Sequence, residues 1–153
     1  MEVNIGISNN APICDVLCRL LADEHVLSLK THGAHWNIKG IDFAAAHAFY
    51  GGQHDEIEGF IDDVAERIQQ LGCTAPATMS EYLRMSRLSE AVNGNTSRVY
   101  YLALALDHEA IIRALRLDIP KIDKQWGDCG TANFLTDLME KHEKMAWMLR
   151  SHI

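Results

Sequence analysis

Four side chains in this 153-residue sequence have the types and spacing from which a metal centre can be built: His35, His47, Asp62 and Glu66. Imidazole nitrogen combined with carboxylate oxygen suits iron that must be held in both oxidation states. Asp62 and Glu66 are i and i+4, so a helix projects them from one face on successive turns. His35 and His47 flank the turn Ile38-Lys39-Gly40-Ile41 and come level if the helices on either side form an antiparallel hairpin. The two pairs cannot share an ion within one chain. Asp62 follows His47 by fifteen residues (62 − 47), over which a straight helix rises about 22 Å. Either the pairs serve different functions, or a neighbouring copy brings them together. A two-fold axis across antiparallel second helices would set one copy's histidines opposite the other's carboxylates and make two equivalent sites per dimer. A plainer reading competes: helical histidines often only pack, and Asp62-Asp63-Val64-Ala65-Glu66-Arg67 would also serve as a solvated face.

Long helices must carry these residues. Only three prolines interrupt the chain, at 12, 76 and 120. The i+3/i+4 spacing around Val16, Leu20, Leu21 and Leu27 predicts a first helix over about 11–37, ended by the turn at Gly40, with Asp42 capping the next. A second runs from about Phe43 to Leu71, with Gly51-Gly52 as its weak point, since each interior glycine costs about 1 kcal/mol against alanine. Ser80 to Arg87 forms a short connecting helix capped by Ser80, and a polar loop at 93–96 leads into a third long helix over about 97–119. Pro120 bends or ends that helix, and a fourth spans about 131–152. No segment reads as a strand. The whole chain is expected to be one all-α domain, residues 1–153: a four-helix bundle with a short extra helix in the long crossover between the second and third helices. Di-iron bundles with the site inside one chain use Glu-x-x-His pairs on two helices. That pattern occurs nowhere here.

Composition removes other classes. A formal net charge of −7, with no Lys or Arg in residues 1–18, disfavours a direct nucleic-acid surface. No apolar run approaches the roughly 20 residues of a membrane-spanning helix, and the first residues lack the order of a signal peptide, so a cytoplasmic location is expected. Of the four cysteines, Cys14 and Cys18 share a helix face while Cys73 and Cys129 stand apart. No C-x-x-C pair occurs, and all four are expected as reduced thiols in or near the core.

The segment Lys30-Thr31-His32-Gly33-Ala34-His35-Trp36-Asn37-Ile38-Lys39-Gly40 resembles the K-x-H-x-x-H-W-N-x-x-G signature of the Dps family, ferritin-like mini-cages named for DNA protection in starved cells. Phe43 and Ala44-Ala45-Ala46-His47 match its next element, Asp62 to Arg67 its D-x-x-A-E-R block, and Trp147-Met148-Leu149 its closing helix. The resemblance covers nearly the whole chain. It implies a dodecamer with ferroxidase centres at two-fold interfaces, His35 and His47 from one subunit meeting Asp62 and Glu66 of another. It also implies iron as the metal handled, Fe(II) oxidation preferably by hydrogen peroxide, and storage of ferric mineral in the cavity. Trp36 matches a family tryptophan beside the centre that intercepts stray oxidising equivalents; packing at a subunit contact is the alternative. Family members admit iron through acidic pores near the start of the last helix, the neighbourhood of Asp128 and Asp137.

One departure is visible. Where many members carry an acidic ligand for the second iron, four residues after the second histidine, this chain has Gly51. His54 or Glu58, on the same helix face as Asp62, are candidate substitutes. A weak or water-filled second iron site is the alternative, and a cage that has lost ferroxidase activity and serves structurally is a third reading. DNA binding in the family commonly uses basic tails. Twelve copies would instead carry a formal charge near −84 (12 × −7), so strong direct DNA binding is not expected unless divalent metal bridges the two.

Overall fold

In a computed structural model, which describes residues 3–7 and 9–153, the chain is all-helical, with no strand among the described residues. The helices are α1 (Ala11–Asn37), α2 (Phe43–Gln70), α3 (Met79–Met85), α4 (Ser97–Pro120) and α5 (Cys129–Arg150). They form two hairpins, α1 with α2 and α4 with α5, joined by the long crossover that contains α3. Cross-hairpin pairs keep a nearly constant register: His35 meets His47, Ser28 meets His54, and Cys14 meets Cys73. That register makes α1 and α2 antiparallel. The stripe read from the sequence of α1 faces the core, with Leu20, Leu21 and Leu27 buried, and α2, α4 and α5 meet it with Ile57, Ile68, Leu104, Ile111 and Leu135. Each such side chain contributes about 1.5–3 kcal/mol by leaving water.

Boundaries fall near their expected places, with three instructive shifts. α3 starts at Met79 and is capped by Thr78, not Ser80. Thr78 Oγ1 accepts from the Glu81 amide while a Glu81 carboxylate oxygen accepts from the Thr78 amide, a reciprocal capping box. The Thr78 hydroxyl also donates to Glu81 Oε2 at 2.6 Å, and this bond first, then those from the Ala77 and Thr78 amides, hold the Glu81 carboxyl below its usual range. Pro120 is the last residue of α4, as expected, but the chain stays helical past it in a wider π-turn over Lys121–Gln125, followed by Gly127 at φ +73°. α5 opens two residues earlier than expected because Asp128 caps it, accepting from the Thr131 amide at 2.8 Å. Asp128 is therefore buried and paired with Arg67, which removes it from any pore lining; Asp137 stays exposed, paired with Lys141. Arg67, near the end of α2, donates to Thr131 Oγ1 at 2.9 Å and so joins the two hairpins.

The expectation of four reduced thiols is corrected. Cys14 and Cys73 form a disulfide between the start of α1 and the residues just past α2, with Cα atoms 6.4 Å apart; Cys18 and Cys129 are free. Spacing along the chain could not reveal this pair, because it depends on the hairpin register bringing residues 59 apart in sequence together.

A polar chain crosses the middle of the bundle. His108 of α4 and His142 of α5 face each other through their Nδ1 atoms at 2.8 Å, and His142 Nε2 lies 2.7 Å from Glu24 Oε1 of α1. All three residues are fully buried. Glu24 Oε2 and His108 Nε2 have no hydrogen-bond partner. Burial, reinforced by His142, pushes His108 well below the ordinary histidine range, so it is neutral in the fold.

Two outcomes are expected. Reduction, or Cys73→Ser, removes a constraint on the unfolded chain and lowers stability by about 2–4 kcal/mol; calorimetry should show the melting temperature falling by roughly 5–15 °C, and an unchanged value would refute the clasp. Because the His108 pKa is depressed in the fold, the unfolded state binds more protons below about pH 6.5. Stability from this group is then lost as pH falls, by up to about 1.4 kcal/mol per unit. Urea unfolding between pH 7.5 and 5.5 should show that slope, and His108→Leu should flatten it.

Candidate metal centre

The α1–α2 hairpin carries a seam of histidines. His35 Nδ1 donates to the His47 carbonyl at 2.7 Å, and His47 Nδ1 donates to the His35 carbonyl at 2.8 Å. A carbonyl only accepts, so each Nδ1 bears the proton and each Nε2 keeps its lone pair. Metal-binding imidazoles are commonly oriented this way by their second nitrogen. The two rings stack with centroids 3.7 Å apart and planes 21° from parallel. Lone pairs in nearly parallel planes do not converge on one point. They suit two neighbouring cations, whose usual spacing in two-metal sites is about 3.5–4 Å.

Gly51 borders this pair. A Cβ at that position would meet His35 Nδ1 at 3.1 Å and Cε1 at 3.2 Å. Glycine therefore leaves the His35 ring its place, and an acidic side chain at 51 would crowd it.

The seam continues beyond the two expected histidines. His32 stacks on His54 at 3.9 Å, lies tilted against Trp36 at 4.0 Å, and is 5.7 Å from His35. Burial first, then the neighbouring His54 and His35, lower the His32 pKa and keep it neutral. Ser28 Oγ donates to Glu58 Oε1, and His54 Nδ1 lies 3.0 Å from the same Oγ. With its proton committed to Glu58, Ser28 accepts from His54 Nδ1–H, which leaves His54 Nε2 with a free lone pair. Sequence reasoning had reached His54 and Glu58 only as isolated candidates and gave His32 no role. The i, i+4, i+7 series Ser28, His32, His35 on α1 was the available signal.

His35 and His47 are thus brought together, half-buried, whereas Asp62 and Glu66 lie exposed farther along α2. Trp36 sits outside the seam at 58% exposure. Among the described residues, no group of three or more His, Cys, Asp or Glu gathers in a way that could hold a metal ion within one chain. Nor is any described helix long and apolar enough to cross a membrane.

Comparison with known proteins decides the family. A profile of the ferritin-like domain matches residues 14–153. DNA protection during starvation protein 2 of Bacillus anthracis is 34% identical over 144 residues, spanning 94% of this chain and 98% of that one. The chain belongs to the Dps family of ferritin-like proteins. A low temperature-induced protein of Nostoc sp. is 36% identical over 155 residues, covering 99% of this Dps chain and 87% of its own length. The crystal structure of a Dps protein from Vibrio cholerae O1, described as a member of a broad superfamily of ferritin-like diiron-carboxylate proteins, superposes with a TM-score of 0.91 at 28% identity, over 99% of this chain and 96% of that one.

The Gly51 contact gives a direct test. Gly51→Ala forces the His35 ring aside by a few tenths of an ångström, and loss of such orientation typically weakens metal binding by about 10–100-fold. Calorimetric titration of anaerobic Fe(II) into native and variant protein measures it; equal affinities would show that the ring's position does not matter.

Proposed function

We propose that this Dps protein is an iron-storing mini-ferritin, oxidising Fe(II) with hydrogen peroxide at centres shared between subunits of a dodecameric shell in the cytoplasm. The observation that carries this reading is the His35–His47 pair, fixed with both Nε2 atoms bare, on a chain whose Asp62 and Glu66 begin about 22 Å farther along the same helix. The partner subunit's Asp62 and Glu66 would complete each centre. Carboxylate oxygen stabilises the ferric product and imidazole nitrogen the ferrous substrate.

In this reading two Fe(II) ions sit side by side, one on each imidazole. Each gives one electron, and the pair of electrons cleaves the O–O bond of one peroxide molecule to the level of water. Supplying both electrons from one site avoids releasing hydroxyl radical. Trp36, adjacent to His35 and packed on His32, is positioned to reduce any oxidising equivalent that escapes. Ferric ion then hydrolyses and deposits inside the shell.

Exposed apolar side chains support assembly. Leu29, Trp36, Phe43, Met79 and Leu83 are each at least 46% exposed, and Leu29, Met79 and Leu83 line one apolar groove between α1 and α3. Patches of this kind usually mark an interface. The net charge of −7 per chain continues to oppose direct DNA binding.

A complementation experiment tests the shared centre. His35→Ala/His47→Ala and Asp62→Ala/Glu66→Ala chains, each inactive alone, are unfolded, mixed and reassembled. Random pairing gives half mixed dimers, each with one intact centre of two, so stopped-flow Fe(II) oxidation with peroxide should recover roughly a quarter of the native rate. No recovery from well-assembled mixtures would place the four residues' chemistry within one chain and overturn the reading.

A further inference from the structure

His54 is the histidine of the seam that the proposed oxidation centre does not use, although it is prepared like one that binds metal. Its Nδ1 is held by Ser28, which is itself held by Glu58, and its ring plane is fixed by stacking on His32. The relay of carboxylate, hydroxyl and imidazole leaves Nε2 as the one nitrogen able to accept a cation. Gly51, on the preceding turn toward which a helical side chain leans, adds no side chain of its own there, and the His35 ring lies over it.

Its position along α2 matters as much as its chemistry. His47, Gly51, His54, Glu58, Asp62 and Glu66 follow one another at intervals of three or four and so share one face. If two antiparallel copies of α2 set 47 opposite 62 and 66, the residues halfway between, 54 to 57, lie on the two-fold axis. Of these four, His54 and Asp55 continue the spacing of the shared face, and His54 is the one that offers an imidazole nitrogen. A residue on such an axis meets its own copy.

We propose that His54 and the partner subunit's His54 form a separate cation site on the two-fold axis, completed by water and selective for a borderline divalent ion such as Zn(II) or Co(II). The inference rests on the two-fold pairing of the proposed function and adds a site to it. Two imidazole nitrogens with two oxygens make a four-coordinate set favoured by such ions. Each ring contributes a single in-plane lone pair. Stacked His32 therefore orients His54 and is a positioning residue, not a ligand. The site would staple each pair of subunits and lies apart from the iron on His35 and His47.

Anaerobic titration with Co(II), followed by visible absorption, tests this on the assembled protein. The native particle should bind a tetrahedral-type cobalt at about half an equivalent per chain, beyond whatever cobalt depends on Asp62. His54→Asn should abolish that half-equivalent, Ser28→Ala should weaken it about 10–100-fold, and Asp62→Asn should leave it intact. A native particle with no cobalt beyond the Asp62-dependent fraction overturns the proposal, as does an unchanged count in His54→Asn. Failure of the shared oxidation centre would show separately, as an Asp62→Asn variant that oxidises Fe(II) at the native rate.

Discussion

The exchange of hydrogen bonds between two imidazoles and two backbone carbonyls, His35 to residue 47 and His47 to residue 35, is the constraint on which the rest of this molecule turns. It ties side-chain chemistry to helix register. A slip of one residue between α1 and α2 would remove both carbonyls from reach and turn the rings out of stack. The same register places Ser28 against His54 and Cys14 against Cys73. One alignment therefore settles which nitrogens are free, how the seam stacks, and where the hairpin is covalently closed.

Much of this architecture could be read from the residues, because long helices with few breakers express their periodicity directly. The span of α1 and the start of α2 coincide with the expected boundaries. Where the reading shifted, a nearby competitor won. Thr78 caps α3 because Glu81, three residues on, returns the hydrogen bond, a reciprocity that Ser80 has no partner to provide. Asp128 proved a cap and an ion-pair partner because Thr131 and Arg67 both reach it, and Arg67 comes from a distant helix. That His35 and His47 come level across the turn was legible from their spacing. The tautomers of these two histidines were not, since they depend on carbonyls across that turn. The disulfide and the crossing of Glu24, His142 and His108 were hidden for the same reason: each joins residues from separate helices.

The two hairpins divide polar groups between them by purpose. His35, His47 and His54 of the α1–α2 seam are half-buried, each with Nδ1 fixed by a hydrogen bond and Nε2 open. His108 and His142, in the bundle interior, have no access to water and spend their nitrogens on each other and on Glu24, leaving two polar atoms without partners. Unsatisfied atoms there cost stability, and nothing in that row converges on a point where an ion could sit. Lys30 shows a third use. Its buried ammonium bonds the Ser89 carbonyl at 2.7 Å and pairs with Asp107, fastening the crossover to α1 and α4 together.

Arg67 follows Glu66 directly, and its guanidinium rests on Thr131 and Asp128 at the first turn of α5. The end of α2 that carries the exposed carboxylates is accordingly braced from the opposite hairpin, while its histidine end is braced by α1. The helix behaves as a beam with a support at each end. A substitution at Thr131 or Asp128 therefore acts on this helix beside Glu66, nineteen residues (66 − 47) from His47.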